Sequence, residues 1–146
     1  MRRISRGVLL VTVVGVAVGL VVWRVVASSA AGLCANRVLR TIPAPDGASR
    51  AVIFERDCGA TTGFSTQVDV LATDALLPDT AGNAFVADDD HGRAPTDSRG
   101  ALPLEVLWRS ADSLEIGYSR QVRVIRHAQR VGHVWVRAAT IEVPGA

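Results

Sequence analysis

Two cysteines, three histidines and a row of three aspartates are the side chains of this 146-residue chain best suited to chemistry. Cys34 and Cys58 form a small, even set, which in an oxidising compartment reads as a disulfide. Closing the loop between them constrains the unfolded chain by about 3.5 kcal/mol on the chain-entropy scale. The competing chemistry is a thiol enzyme, with Cys58 as nucleophile and a histidine as base. A serine version would use Ser65, but no G-x-S-x-G elbow surrounds it. Asp88-Asp89-Asp90-His91 offers oxygens and an imidazole to a cation. It lacks the alternating ligands, central glycine and closing glutamate of a calcium loop, and so reads as a solvated stretch. His127 and His133 are expected on neighbouring strands. With His91 they would make a three-histidine zinc set that no tight spacing supports. Glu55, Glu105, Glu115 and Glu142 read as solvent-facing strand residues rather than as paired catalytic carboxylates. Arg120, Arg123, Arg126, Arg130 and Arg137 read as a solvated sheet face, with an anionic surface such as lipid headgroups or envelope polymer as the functional alternative. No catalytic residue, metal or cofactor is assigned.

The most distinctive stretch is DCGATTGFSTQV, residues 57–68. Gly59 and Gly63 permit tight or left-handed backbone, and Thr61, Thr62, Ser65 and Thr66 supply hydroxyls. One reading is a backbone nest for an anion; the other is a pinned connection whose hydroxyls satisfy local backbone groups. Asp57, Gly59, Thr61, Thr62, Gly63, Ser65 and Gln67 are the candidate contact residues, together with the polar loop 89–100. With Cys34-Ala35-Asn36, the Pro45-Asp46-Gly47 turn and the strand ending Phe54-Glu55-Arg56, this stretch resembles a family of small bacterial proteins of uncharacterised activity. The resemblance is close over residues 34–71 and loose over 83–88 and 106–118. It implies a membrane-anchored or secreted β protein and carries no catalytic assignment.

The elements that position these residues begin with an N-terminal segment. Arg2, Arg3 and Arg6 precede an uncharged run over residues 7–23, and Arg24 follows it. A helix over residues 7–27 would be about 31 Å long, enough to cross the hydrocarbon core, with Trp23 and Arg24 at the interface. The arginines hold the N-terminus in the cytoplasm and export the rest. The reading favoured is a single-pass anchor in the cell membrane. The alternative is a signal peptide cleaved near Ala30 or Ala31, giving a secreted or periplasmic protein. Gly15 and Gly19 make a G-x-x-x-G through which two membrane helices could pair.

Charge divides the chain at the same place. There is no lysine, and four arginines fall in the first 33 residues. The remaining twelve face all fourteen acids, a balance of −2 over residues 34–146, so nucleic-acid binding is not expected. Short alternating runs broken by Gly, Pro, Asp and Ser predict strands near 36–42, 50–56, 66–73, 83–88, 102–109, 114–119, 122–128 and 132–143. The expected fold is mainly β: an N-terminal helix over residues within 1–33, then a small antiparallel, sandwich-like domain over 34–146. The stretches PAPDGASRAVIFER and LEVLWRSADSLEIGYS resemble β-propeller hairpins, but a closed propeller needs about 160 residues or more. The expected function is a non-enzymatic envelope interaction or structural domain, its partner an envelope protein or polymer.

Overall fold

The computed structural model describes residues 15–24, 34–59 and 63–142. The chain divides into two compact units, residues 1–33 and 34–146.

In the first unit, residues 15–24 are helical and their side chains are exposed, including Leu20, Val21 and Trp23. An added Cβ at Gly15 or Gly19 meets no atom of the described residues within 4 Å. No helix among the described residues is long and apolar enough to cross a membrane. The rest of the expected 7–27 span, residues 7–14 and 25–27, lies outside the described residues.

The second unit is a β structure with nine strands among its described residues. They are β1 (Ala35–Pro43), β2 (Ser49–Asp57), β3 (Ser65–Ala72), β4 (Phe85–Asp88), β5 (Glu105–Ser110), β6 (Ser113–Ser119), β7 (Arg123–His127), β8 (Arg130–Val131) and β9 (Val134–Ile141). One sheet has the order β1-β2-β3-β4-β7, the other β5-β6-β9-β8. The first hairpin turns where Pro45-Asp46-Gly47 directs it. Gly47 takes a left-handed φ of 70°, and the Ala48 amide donates to Asp46 Oδ1 at 3.0 Å. Gly132, with φ of 59°, turns β8 into β9, so the strand expected over 132–143 starts at Val134 and is preceded by a short strand that the alternation did not mark.

Antiparallel pairing holds throughout except between β6 and β9, which run parallel. The cause is β7. After a turn in which the Val122 amide donates to Ser119 O, the chain crosses to the first sheet and pairs with β4. It therefore returns to the second sheet in its original direction. Between the sheets lie Ile53, Val68, Val70 and Phe85 from one side and Val106, Leu114, Ile116, Val134 and Val136 from the other. Phe85 and Tyr118 pack ring to ring with centroids 5.4 Å apart.

The first sheet is buried on its other face too. Val52, Phe54, Gln67, Asp69 and Val86 alternate with the core residues and are all buried. Segment 73–84 is bonded across this face. Arg50 donates to Ala75 O, Asn36 to Pro78 O, and Arg56 to Asp79 Oδ1. Gln67 Oε1 accepts from the Gly82 amide at 2.6 Å. Asn83 continues the ladder with its side chain, which both accepts from and donates to the Val70 backbone. An added Cβ at Gly82 would lie 3.0 Å from the carbonyls of Phe85 and Val68, tighter than ordinary van der Waals contact, so glycine suits this approach. Replacing Gly82 by Ala forces backbone to shift and should destabilise the domain by about 1–3 kcal/mol in urea unfolding. Gly117→Ala, whose crowding neighbour is the flexible Ile141 side chain, should cost less.

Candidate functional site

Cys34 immediately precedes β1 and Cys58 immediately follows β2. The ladder between these strands ends at the pair Ala35↔Asp57, so the cysteines occupy the next position of the register. They are joined as a disulfide with Cα atoms 3.9 Å apart, and none of the described cysteines is free. The bond closes the open end of the hairpin and ties up the sulfur that a Cys58 nucleophile would need.

The stretch after Cys58 separates into parts. Asp57 Oδ1 accepts the Gly59 amide at 2.8 Å, a local turn in which Gly59 has φ of 91°. Thr61 and Thr62, two of the residues in the anion-nest reading, lie outside the described residues. Gly63 and Phe64 are exposed. Ser65 Oγ donates to Arg56 O and accepts from Gln67 Nε2 at 2.7 Å. Thr66 and Gln67 point to opposite faces and are both buried. Thr66 Oγ1 accepts the Leu102 amide at 2.9 Å, which ties β3 to the segment leading into β5. Gln67, expected among contact residues, is instead an internal bond to segment 73–84.

The other candidate groups are dispersed. Arg123 forks onto both oxygens of Asp88, and that bonded guanidinium holds the Asp88 carboxyl below its ordinary range. Asp90 pairs with Arg93 at 3.0 Å. The loop reverses through three successive left-handed residues, Asp90, His91 and Gly92. Among the described residues no group of three His, Cys, Asp or Glu side chains is placed to hold a metal. His127 and His133 do not share adjoining strands. β7 carries His127 in the first sheet, whereas His133 stands in the turn between β8 and β9 of the second. Glu55 is not a solvent-face residue: it is buried and paired with Arg37 at 2.9 Å. The arginine series is no single face either. Arg123 and Arg126 lie on β7 and are tied to Asp88 and to the Gly82 carbonyl, while Arg130 and Arg137 belong to the second sheet.

Two features were not legible as sites in the sequence. The first is the edge of β9. β8 covers only Val134 and Trp135, in the pairs Val131↔Val134 and Arg130↔Trp135. Beyond them the Val136 amide donates to Gln129 O, and Val136 O meets His127 Nε2 at 3.1 Å. A concavity of about 330 Å³ opens here, lined by Ser113, His127, Gln129, Trp135, Arg137 and Ala138 among others. Trp135 is 55% exposed, and the Arg130 guanidinium stacks 4.8 Å from its ring centre. An exposed tryptophan on an alternating strand was the one available sign. The chain matches no family model, no curated protein and no solved structure.

The second is Asp69. It is 1% exposed, accepts the Asn83 amide through Oδ1, and has no hydrogen-bond partner at Oδ2 among the described residues. Burial raises its pKa above the ordinary 3.8, opposed by the Asn83 amide and the charge of Arg126. Because the folded value is the higher one, the group favours folding fully at pH below the ordinary value. That contribution is lost as pH rises through the raised folded value. Asp69→Asn keeps an acceptor for Asn83 and removes the buried charge. Compared by urea midpoints over about pH 4 to 8, the variant should gain on the native protein as pH rises. A deficit of equal size at every pH would contradict this account.

Proposed function

We propose that this chain is a single-pass membrane protein whose residues 34–146 form an extracytoplasmic, non-enzymatic interaction or structural domain. The observation that carries the reading is the Cys34–Cys58 disulfide. Such bonds persist in exported proteins and are rare in the reducing cytosol. The arginines at positions 2, 3 and 6 and the uncharged run that follows give a route for that export. In this reading residues 7–27 contact the cytoplasmic membrane, with Gly15 and Gly19 available for helix pairing, and the partner is an envelope protein or polymer. The dispersed histidines and the bonded Cys58 weigh against the alternative, an exported thiol enzyme or hydrolase using Cys58 with a histidine. The resemblance of residues 57–68 to small bacterial anchored or secreted proteins points the same way.

The test is topological. A reporter active only outside the cytoplasm, fused after residue 142, should be active, and the intact mass of the purified protein should include residues 1–33. A silent reporter would overturn export. A mature chain starting near Ala30 would replace the anchor with a cleaved signal.

A further inference from the structure

We propose that the open edge of β9, around Ala138 and Thr140, takes an extended acidic peptide segment of a partner protein as an added strand. The inference deepens the interaction-domain reading by naming the partner's chemistry.

The backbone supplies the first argument. In a parallel ladder, alternate residues direct both amide and carbonyl toward the same neighbour. Val136 sends both of its groups away from β6, to Gln129 and His127. By the same alternation Ala138 and Thr140 send theirs to that side. No strand stands there among the described residues, because the antiparallel β8 begins only at Arg130, opposite Trp135. No backbone bond outside the strand ladders engages Ala138 or Thr140 among the described residues.

The second argument is that the other sheet margins are blunted while this one is not. β1 carries Arg37 and Arg40 and an irregular register between Val38 and Arg40. β5 shifts register between Trp108 and Ser110. β7 is five residues long, carries Arg123 and Arg126, and pairs through a register shift at Val86 and Ala87. Charges, bulges and brevity are the usual protections of an edge. Residues 138–141, Ala-Ala-Thr-Ile, have no charge, no proline and an unbroken register with β6.

Charge selects the occupant. The lining of the adjoining concavity includes Arg137 and His127 and no carboxylate. Glu115, the acid registered opposite Arg137, is engaged by Arg109 at 2.7 Å. Arg130 lies over Trp135 just beyond. An added strand bearing acids on the outer face would meet Arg137, whereas a second copy of β9 would bring another arginine. Strand addition draws affinity from main-chain bonds and specificity from alternate side chains, which is the combination present here.

The test uses the full-length protein in detergent micelles and a fluorescein-labelled peptide alternating glutamate with valine. Anisotropy should show saturable binding. Methylating the peptide amides that face β9 should weaken it by about tenfold or more, and methylating the opposite set should not. Arg137→Glu should also weaken it by about tenfold, as should exchanging the peptide's glutamates for lysines. Ala138→Pro removes one edge donor and should have a similar effect, with its thermal midpoint measured alongside. No saturable binding, or equal binding of both methylated peptides, would overturn the proposal. So would binding of an acidic polysaccharide in place of the peptide, or a light-scattering mass showing that the edge pairs with a second copy. These outcomes are read in purified protein and are independent of the topology reporter, so failure of either reading is seen separately.

Discussion

The Cys34–Cys58 bond secures a hairpin whose second strand belongs to both buried layers of the domain. β2 gives Ala51 and Ile53 to the space between the sheets, and Val52 and Phe54 to the layer beneath segment 73–84. β1, by contrast, is an edge strand with much of its surface in water. Its attachment combines the ladder to β2, the partly buried Leu39 and Ile42, and polar ties that include the Arg37–Glu55 pair, Asn36 to Pro78 O and the Trp108 indole N–H donating to Ile42 O. An edge strand held by so little burial frays readily. The disulfide removes that freedom at the end where the chain enters from the N-terminal unit. In a domain of this size, where the core is limited, a covalent closure of this kind is a large part of the net stability.

The crossing of β7 has two consequences of different kinds. It lets Arg126 reach the Gly82 carbonyl and the vicinity of Asp69, so the outer polar layer is anchored from a strand distant in sequence. It also makes β9 parallel to β6 and leaves only the two residues of β8 to cover its far side. Stability and an open binding edge thus follow from one topological step. Asp69 opposes this stability: it is enclosed at the 73–84 contact while its second oxygen has no partner among the described residues.

Much of the architecture was legible. Alternation placed the strands around residues 36–42, 50–56 and 114–119 within a residue or so of where they lie, and Pro45-Asp46-Gly47 forecast its turn. The even cysteine count, with the exported compartment expected from the N-terminal segment, forecast the disulfide. Other features were not legible, for definite reasons. Period-two alternation assigns faces but cannot say that both are covered, so Gln67 and Glu55 read as surface residues until segment 73–84 and Arg37 are in place. Strand direction is likewise invisible in a short polar turn. The step from Ser119 to Arg123 can continue one sheet or change to the other, and only the second makes β6 and β9 parallel. The expected membrane-length helix and the Thr61–Thr62 contact fall largely on residues outside those described.

The central claim is that Cys58 acts as half of a structural crosslink and not as a nucleophile. The direct measurement is the thermal midpoint and the cellular phenotype of Cys34→Ser beside Cys58→Ser, each in the full chain. Each variant removes the same bond, so both should lose about 2–5 kcal/mol of stability and show the same phenotype. Loss of function confined to Cys58→Ser, with a midpoint unchanged from the native protein, would contradict the account.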